Sequence, residues 1–294
     1  MRNCAFLTMD SLEDFVCYDH FLYEPFKNSG WHVTEVSWRN RRVDWNKFDA
    51  VLVRSTWDYQ DNPQEFLCVL QEIEQSSAHL ENHISLIKWN FEKTYLQDLK
   101  AKKVQIIPTL WSQNIHDVSL FFDKLQHEEI VIKPTISANA DNTFRLTKSD
   151  IQKKTPLLTS CFQKRSFMVQ PFMTNIISEG EFSLFFFGNQ YSHCILKTPK
   201  ENDFRVQEEH GGILRAITAD TSLIATAQNV MKNLPKQPLY ARLDFVRSDS
   251  LCAQNSFLLM EVELIEPSLY FQLSPQAPQL FTDVFCEKMA MILA

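Results

Sequence analysis

Two stretches near the C-terminus decide how this chain folds: Leu239-Tyr-Ala-Arg-Leu-Asp-Phe-Val246 and Phe257-Leu-Leu-Met-Glu-Val-Glu-Leu-Ile-Glu-Pro267. Each alternates like a strand, in which successive side chains point to opposite faces of a sheet. Arg242 and Asp244 therefore share one face of the first strand. Glu261 and Glu263 share one face of the second. The residues on the opposite faces are apolar and are predicted to lie in the core: Leu243, Phe245, Met260, Val262 and Leu264.

The carboxylates of Asp244, Glu261 and Glu263 indicate a cation site. Clustered carboxylates in a half-buried sheet repel one another and lose hydration unless a cation compensates them. No Cys-His set accompanies them, and oxygen ligands alone favour a hard cation, above all Mg²⁺. The alternative is a solvated sheet face with a salt bridge from Arg242.

Length and composition indicate a folded enzyme. The chain has 294 residues, of which 45% are hydrophobic and 22% charged, enough for a large core divided into two or three lobes. A net charge of −7 argues against nucleic acid or an anionic membrane as the main partner. No segment approaches the roughly 20 apolar residues of a membrane span. The start of the chain lacks the features of a secretory signal, and the seven scattered cysteines lack a CxxC pair, which favours reduced thiols and a cytoplasmic location.

The chain is predicted to be an α/β protein in three sections: residues 1–85, 86–165 and 166–294. In the first section strands alternate with helices, including a helix around 15–28, which implies a parallel sheet that binds ligands beyond the carboxyl ends of its strands. At such an end lies the loop 54–59, which contains Arg54, Ser55, Thr56 and Asp58. The loop is either a substrate-recognition element or an ordinary loop with an aspartate helix cap.

The second section carries two lysines in unusual places. A helix is predicted over residues 90–103 with Asn90 as its N-cap, and Lys93 then lies in the first turn, where the macrodipole disfavours a cation. Lys93 is either solvated or opposite a bound anion. Lys133 interrupts the apolar strand 129–134, which is costly unless the lysine meets an anion. A polar loop follows at residues 137–142.

The third section is predicted to contain a hairpin, with strands at 182–187 and 190–198 joined by Gly188-Asn189. His193 and Lys197 share one face of the second hairpin strand. A lone histidine in such a strand is more often structural than functional. Residues 203–207 also alternate, with Asp203, Arg205 and Gln207 on one side.

Taken in order, these motifs resemble the ATP-grasp superfamily, in the branch of bacterial glutathione synthetase and the ribosomal-protein glutamate ligase. The resemblance covers roughly residues 86–270 and implies an ATP-grasp fold of α/β type (α+β lobes) behind a Rossmann-like N-terminal domain. On this basis residues 86–165 are expected to form the small lobe and 166–294 the lobe with the Mg-ATP site. The strings Arg54-Ser-Thr-Trp-Asp-Tyr59, Asp203-Phe-Arg-Val-Gln-Glu208 and Glu263-Leu-Ile-Glu-Pro-Ser268 are similar to those of ligases that form cycloserine from an O-ureidoserine.

The resemblance also implies roles for individual residues. Lys93 and Lys133 would contact ATP, the loop at Ser137 would cover its phosphates, and the hinge Gln170-Pro-Phe172 would bind adenine. Glu179 or Glu181 would bind the ribose. Arg205 would steady the phosphate or acyl-phosphate, and Lys197 would lie near the substrate. Asp244 and Glu261 match the Mg²⁺ ligands, and Glu263 occupies a position where the family usually has asparagine.

The function implied is ATP-dependent ligation of a carboxylate and an amine through an acyl-phosphate, on a small amino-acid-like substrate. A homodimer is compatible with this resemblance. One departure is the phosphate loop, which has no glycine between Ser137 and Asn142, where the family's loop is glycine-rich. This departure motivates an alternative function, a nucleotide-binding sensor or interaction module without ligase turnover.

Overall fold

A computed structural model describes residues 1–137, 140–248 and 256–293. The fold contains three sheets, here called the N-terminal, middle and C-terminal sheets. Ala138 and Asn139 of the predicted phosphate loop lie outside the described residues. Among the residues that are described, no helix is long and apolar enough to cross a membrane.

The N-terminal sheet is parallel, as the alternation of strands and helices predicts. Its strands are β1 (Arg2–Thr8), β2 (Trp31–Ser37), β3 (Ala50–Ser55) and β4 (His79–Glu81), in the order β2-β1-β3-β4. Helix α1 (Tyr23–Asn28) begins later than the sequence suggested, after a 3-10 turn at Asp19–Leu22. Proline is tolerated in the first turn of a helix, and Pro25 accounts for the late start. Helix α2 (Pro63–Glu74) begins at its proline as expected.

The middle sheet is antiparallel. Its strands are β5 (Leu110–Ser112), β6 (Glu129–Pro134), β7 (Phe144–Thr147) and β8 (Phe167–Pro171), in the order β5-β8-β6-β7. Helices α5 (Val118–Leu125) and α6 (Asp150–Phe162) cover it. Strand β8 pairs with β6, so this sheet draws on residues from both sides of position 165. The three-section division therefore stays a prediction from sequence.

The C-terminal sheet has five strands in the order β11-β10-β9-β12-β13. The predicted hairpin is confirmed as β9 (Glu181–Phe187) and β10 (Gln190–Thr198), followed by β11 (Ile213–Ile217), β12 (Tyr240–Arg247) and β13 (Phe257–Glu263). The short helix α7 (Asn175–Ser178) precedes it. Helix α8 (Thr221–Asn233) packs on the face bearing Phe186, and α9 (Ala277–Ile292) packs on the face bearing Phe187, between this sheet and the N-terminal one.

The helix predicted over residues 90–103 is wrong, because the chain forms two helices there. Helix α3 (Ile84–Asn90) ends at the residue predicted to be the N-cap, and α4 (Tyr95–Ala101) begins after a break. The Asn90 side chain instead binds strand β13, donating to the Val262 carbonyl (2.8 Å) and accepting from the Leu264 amide (2.9 Å). The Tyr95 hydroxyl lies 3.0 Å from the same Val262 carbonyl. These tertiary hydrogen bonds override the local helix pattern and place Lys93 in the break.

The pairing of β12 with β13 contains a bulge. Asp244 lies opposite Glu261, but the next residue, Phe245, lies opposite Leu259, so Met260 is an extra residue on β13. A bulge turns side chains that strict alternation would separate toward the same side. Met260 therefore lines the cavity beside Glu261 and is only partly buried against the core cluster that contains Ile107 and Val246, which modifies the expectation from alternation.

His193 is a structural residue, and it makes stability depend on pH. Its ring stacks on Phe185 with centroids 4.2 Å apart, its Nε2 lies 3.1 Å from the Leu269 carbonyl, and burial lowers its pKa from 6.5 to about 4. Between those pH values the unfolded chain binds the proton more readily. The stabilising contribution is therefore complete above pH 6.5 and is lost as the pH falls toward 4.

We expect His193→Gln, which cannot titrate, to lessen the fall in unfolding free energy between pH 7 and pH 4 by up to about 3 kcal/mol. Urea unfolding at a series of pH values measures this difference. The wild-type protein serves as the control. An unchanged slope in the variant would show that His193 does not titrate as its burial indicates.

Candidate active site

One cavity lies where the three sheets meet. The N-terminal section contributes Trp57 and Tyr59, and the middle sheet contributes Lys133, Gln170 and the adjoining Phe172. The C-terminal sheet contributes most of the charged residues: Glu181, Lys197, Arg242, Asp244, Glu261 and Glu263. The structure thus brings together most of the residues that the sequence singled out.

Strands β12 and β13 align the central charges in register. Asp244 is the Cα partner of Glu261, and Arg242 is the partner of Glu263. Asp244 is buried and accepts hydrogen bonds from Ser183 and from Arg242, whose Nη2 lies 3.0 Å away. Burial alone would raise the pKa of Asp244, but Arg242 and Lys197 lower it to about 2. Asp244 is therefore a buried carboxylate that its cationic neighbours keep ionised.

Glu263 differs from its neighbour. It also pairs with Arg242, yet burial raises its pKa to about 7, with repulsion from Asp244 and Glu261 adding to the effect. The alternative of a solvated face with a salt bridge is therefore partly right, because Arg242 pairs with Asp244 and Glu263, and the face is partly exposed at Glu263 but buried at Asp244.

Two lysines pair with the other carboxylates of the cavity. Lys93 Nζ lies 3.1 Å from Glu261 Oε1 and donates to the Ser137 carbonyl at 2.7 Å. Lys197 Nζ lies 2.9 Å from Glu181 and 3.6 Å from Asp244. Burial and Arg242 oppose the charge on Lys197, but Asp244 and Glu181 raise its pKa above the ordinary value.

Lys133 differs from Lys93 and Lys197 in its lack of a charged partner. Its ammonium makes no ion pair or hydrogen bond with the described part of the chain. Burial lowers the pKa of Lys133, and the nearby charge of Lys93 lowers it further. A lysine in an apolar strand without a protein partner is costly unless a ligand supplies the anion.

The carboxylates suit Mg²⁺ in donor type, but protein cations already compensate them. Across residues 1–137, 140–248 and 256–293, no three side chains of His, Cys, Asp or Glu lie close enough together to hold a metal ion. Asp244, which is buried, and the neighbouring Glu261, which is partly exposed, offer only oxygen donors, the ligand type that Mg²⁺ prefers. An ion there would need further oxygen ligands, and nucleotide phosphates are the usual source.

The predicted adenine hinge forms an apolar slot. Phe172 contacts the Arg145 guanidinium at 3.8 Å from its ring centroid, and Ile107, Val131 and Met260 line the same part of the cavity. The Phe172 amide already donates to the Glu129 carbonyl at 2.9 Å, and the Gln170 side chain donates to Thr109. The hydrogen bonds of an adenine ring bound beside these residues would have to use other backbone groups of the hinge.

The two glutamates predicted to bind the ribose differ in their access to the cavity. Glu179 is paired with Arg247, with Oε2 2.9 Å from Nε, and it is not among the residues around the cavity. Glu181 lines the cavity, although Lys197 binds it. Of the two alternatives, only Glu181 has access to a ligand.

Arg205 lines the cavity from an irregular loop, not from the strand that its alternation suggested. Its guanidinium pairs with Asp203, with Nη2 2.8 Å from Oδ2, and this pairing holds the pKa of Asp203 well below its usual range. In the same loop Glu208 accepts a hydrogen bond from Tyr18 at 3.0 Å. Arg205 is thus a charged residue over the cavity mouth on a loop that touches the N-terminal section.

The prediction of direct substrate contacts by Arg54, Ser55, Thr56 and Asp58 needs correction. Arg54 is 1% exposed, donates to Asp19 at 2.8 Å, and does not line the cavity. Ser55 donates to Thr8, and Thr56 is buried. Asp58 accepts hydrogen bonds from Trp38 (2.7 Å) and Arg39 (2.8 Å) and makes no helix-cap hydrogen bond. The polar side chains of the loop therefore neither line the cavity nor cap a helix. The loop reaches the cavity through its aromatic residues, Trp57 and Tyr59.

Sequence reasoning missed several lining residues that follow β13: Glu266, Ser268 and Tyr270. Burial raises the pKa of Glu266 to about 8, and the charge of Glu263 adds to this. The available signal was the string Glu263-Leu-Ile-Glu-Pro-Ser268, which continues the charged pattern past the end of the strand.

Two family models match this chain. The model described as the ATP-grasp domain of prokaryotic glutathione synthetase matches residues 92–253, more than half of the chain. The model described as the N-terminal domain of D-cycloserine synthetase DcsG matches residues 4–82. The chain therefore belongs to the ATP-grasp family, whose members are ATP-dependent ligases that form C–N bonds with release of ADP.

Individual relatives agree with this assignment. The cycloserine biosynthesis protein DcsG of Streptomyces lavendulae is 28% identical over 284 residues, covering 91% of this chain and 92% of its own. A crystal structure of D-cycloserine synthetase DcsG superposes with a TM-score of 0.86 at 26% identity, covering 98% of this chain and 99% of that one. The ATP-grasp ligase PsnB, solved with a phosphomimetic precursor variant, Mg and ADP, shares the fold with a TM-score of 0.67 at 13% identity, covering 97% and 98%.

Lys133 provides a test of the nucleotide side of the cavity. We expect Lys133→Met to weaken ATP binding by about 1–3 kcal/mol, the loss of a charge-assisted contact, with little cost in folding stability. Calorimetric titration with ATP measures the affinity, and thermal unfolding without ligand measures the stability. Lys153→Met, which changes an exposed lysine on α6, is the matched control. Equal ATP affinity in the wild type and Lys133→Met would make Lys133 a structural residue.

Proposed function

We propose that this ligase uses the γ-phosphate of ATP to activate a carboxylate, or a comparable acyl oxygen, of a small amino-acid-like substrate. An amine then displaces phosphate from the acyl-phosphate and forms an amide-type bond. The observation that carries the proposal is the single cavity in which lysines and arginines face paired carboxylates beside an apolar slot. Because acyl-phosphates are reactive, positioning and exclusion of water are the main tasks of such a site.

The lysine and arginine side chains of the cavity would have different roles. Lys93 and Lys133 would hold the ATP phosphates, with Lys133 supplying an ammonium group that makes no ion pair or hydrogen bond with a described residue. Lys197 and Arg205 would neutralise charge on the transferred phosphoryl group and the acyl-phosphate. The slot at Gln170 and Phe172 would hold adenine, Glu181 would take the ribose hydroxyls, and Ser137 would face the phosphates.

Asp244 and Glu261 would hold Mg²⁺, with Glu263 close by. A bound Mg²⁺ would supply positive charge beside the phosphates and so reduce the negative charge that the lysines must neutralise. The same-fold ligase PsnB was solved with Mg and ADP, which supports this assignment. In the structure Lys93 and Arg242 pair with these carboxylates.

The substrate is proposed to be an amino-acid-like molecule of the kind that D-cycloserine synthetase handles, with O-ureidoserine as the first candidate. The similarity to that enzyme extends over both family models. At the N-terminal side of the cavity, Trp57, Tyr59 and Tyr270 form aromatic walls, and Glu266 and Ser268 add polar groups. These groups suit a small zwitterion, because an ammonium group beside Glu266 would favour the ionised form of that carboxyl group, and the aromatic rings can enclose the carbon skeleton.

A panel of O-ureidoserine, free amino acids and dipeptides tests the function by measuring ADP production. We expect production above the ATP-only rate with at least one small amino-acid-like compound. Nucleotide binding by calorimetry without ADP production from any panel member would instead support the sensor or interaction module.

The carboxylates offer a second test. We expect Glu261→Gln to lower turnover at least about 100-fold, because a neutral amide is a poor Mg²⁺ ligand. Its stability should change little, since Glu261 is only partly buried. Asp244→Asn should lower turnover as strongly but also cost roughly 3 kcal/mol of stability, because it leaves the buried Arg242 and Lys197 under-compensated.

Glu179→Gln is the control for both variants, since Glu179 pairs with Arg247 outside the cavity. Its turnover should equal that of the wild type. Wild-type turnover in Glu261→Gln would exclude Glu261 as a metal ligand.

A further inference from the structure

The irregular segment of residues 264–270, which follows β13, is held by side chains from elsewhere in the chain. Four successive backbone carbonyls, from Leu264 to Pro267, lie within hydrogen-bond distance of side-chain donors. The donors are, in order, Asn82 (2.8 Å), Tyr240 (3.0 Å), Trp57 (2.9 Å) and Arg54 (3.2 Å). His193 lies 3.1 Å from the carbonyl of Leu269. The position of the segment is therefore set largely by side chains that are distant in sequence.

Arg54 links this segment to the N-terminal section. One guanidinium limb binds Asp19, at 3.1 Å from Nε and 2.8 Å from Nη2, and Nη2 also donates to the Pro267 carbonyl. The guanidinium carbon lies 5.1 Å from the centroid of the Tyr240 ring. A planar guanidinium group that is hydrogen-bonded at more than one nitrogen has little freedom to reorient. Arg54 thus fixes Pro267 relative to the N-terminal sheet.

The segment forms one wall of the cavity. Glu266, Ser268 and Tyr270 line it, and Tyr270 adopts a left-handed backbone conformation with φ of 45°. A non-glycine residue is strained there and persists only when its surroundings hold it. Because the segment has no strand or helix of its own, loss of the bonds to its carbonyls would free this wall to move.

We propose that Arg54 and Trp57 are positioning residues, which set the cavity wall of Glu266, Ser268 and Tyr270 by binding the carbonyls of Pro267 and Glu266. The inference rests on the proposed function to the extent that this wall binds the second substrate. It accounts for the buried polar loop without any contact between Arg54 and substrate. Binding of the second substrate, and not of ATP, then depends on these two side chains.

Two variants remove one bond each. Arg54→Lys keeps a positive charge opposite Asp19 but loses the fork that also reaches the Pro267 carbonyl. Trp57→Phe keeps an aromatic ring at the cavity but loses the N–H donated to Glu266. Asp58→Asn is the matched control, because it changes the same loop at a residue that contacts Trp38 and Arg39 instead of the 264–270 segment.

The first measurement is hydrogen exchange of the backbone amides of residues 264–266 and 268–270 without substrate, since Pro267 has no N–H. We expect these amides to exchange about tenfold faster in Arg54→Lys and Trp57→Phe, with the peptides of β9 unchanged and with wild-type rates in Asp58→Asn. Unchanged rates in both test variants would overturn the proposal. Equal acceleration throughout the chain would also overturn it, since that result indicates general destabilisation.

The second measurement separates substrate from nucleotide. With the compound from the panel that gives the highest ADP production, we expect the KM to rise about tenfold in both test variants while the KM for ATP stays within twofold. Accelerated exchange with an unchanged KM for that compound would overturn the positioning role. If no compound supports turnover in the wild type, the proposed function fails, and the exchange rates still decide whether Arg54 and Trp57 hold the segment.

Discussion

The pairing of β12 with β13 is the interaction on which the rest of the site depends. It sets Asp244 opposite Glu261 and Arg242 opposite Glu263 in an antiparallel register. A slip by one residue would turn these charges into the core and the apolar residues into the cavity. β13 is an edge strand, and Asn90 and Tyr95 bind its backbone at Val262. The same contacts interrupt the helix pattern there and leave Lys93 facing Glu261, so one constraint fixes both the carboxylates and a cation that opposes them.

Local patterns predicted much of the fold and of the site. The strands at β6, β9, β10, β12 and β13 were predicted correctly because their apolar or alternating residues are typical of strands in a core, although the bulge at Met260 breaks the alternation of β13. The interrupted helix could not be foreseen, since the hydrogen-bonding partner of Asn90 lies 172 residues away. The same limit applies to Arg54. Its position at the end of a strand was read correctly, but its partners, Asp19 and Pro267, are fixed by packing between sheets that no local pattern reports.

The charges of the cavity explain why a buried site of this kind can exist without a ligand. Arg242, Lys93 and Lys197 compensate carboxylates that would otherwise repel one another. Of the lysines, Lys133 lacks such a partner among the described residues. An incoming phosphate would therefore meet Lys133 directly, but it would have to compete with Glu261 for Lys93. Such an exchange of ion-pair partners would let the chain bind a highly charged ligand without exposing an uncompensated cluster of like charges beforehand.

Control of the 264–270 segment through its carbonyls has a consequence for specificity. Every residue has a backbone carbonyl, whatever its side chain. Trp57 and Arg54 can therefore bind the backbone at Glu266 and Pro267 whatever side chains those positions carry. The residues facing the cavity, Glu266, Ser268 and Tyr270, are then free to differ between ligases of one fold while the wall keeps its place. Substrate choice would follow from those side chains, and the geometry in which they are presented would follow from the N-terminal section. Such a division lets one scaffold serve several small substrates, because changing the contacts does not require rebuilding the support.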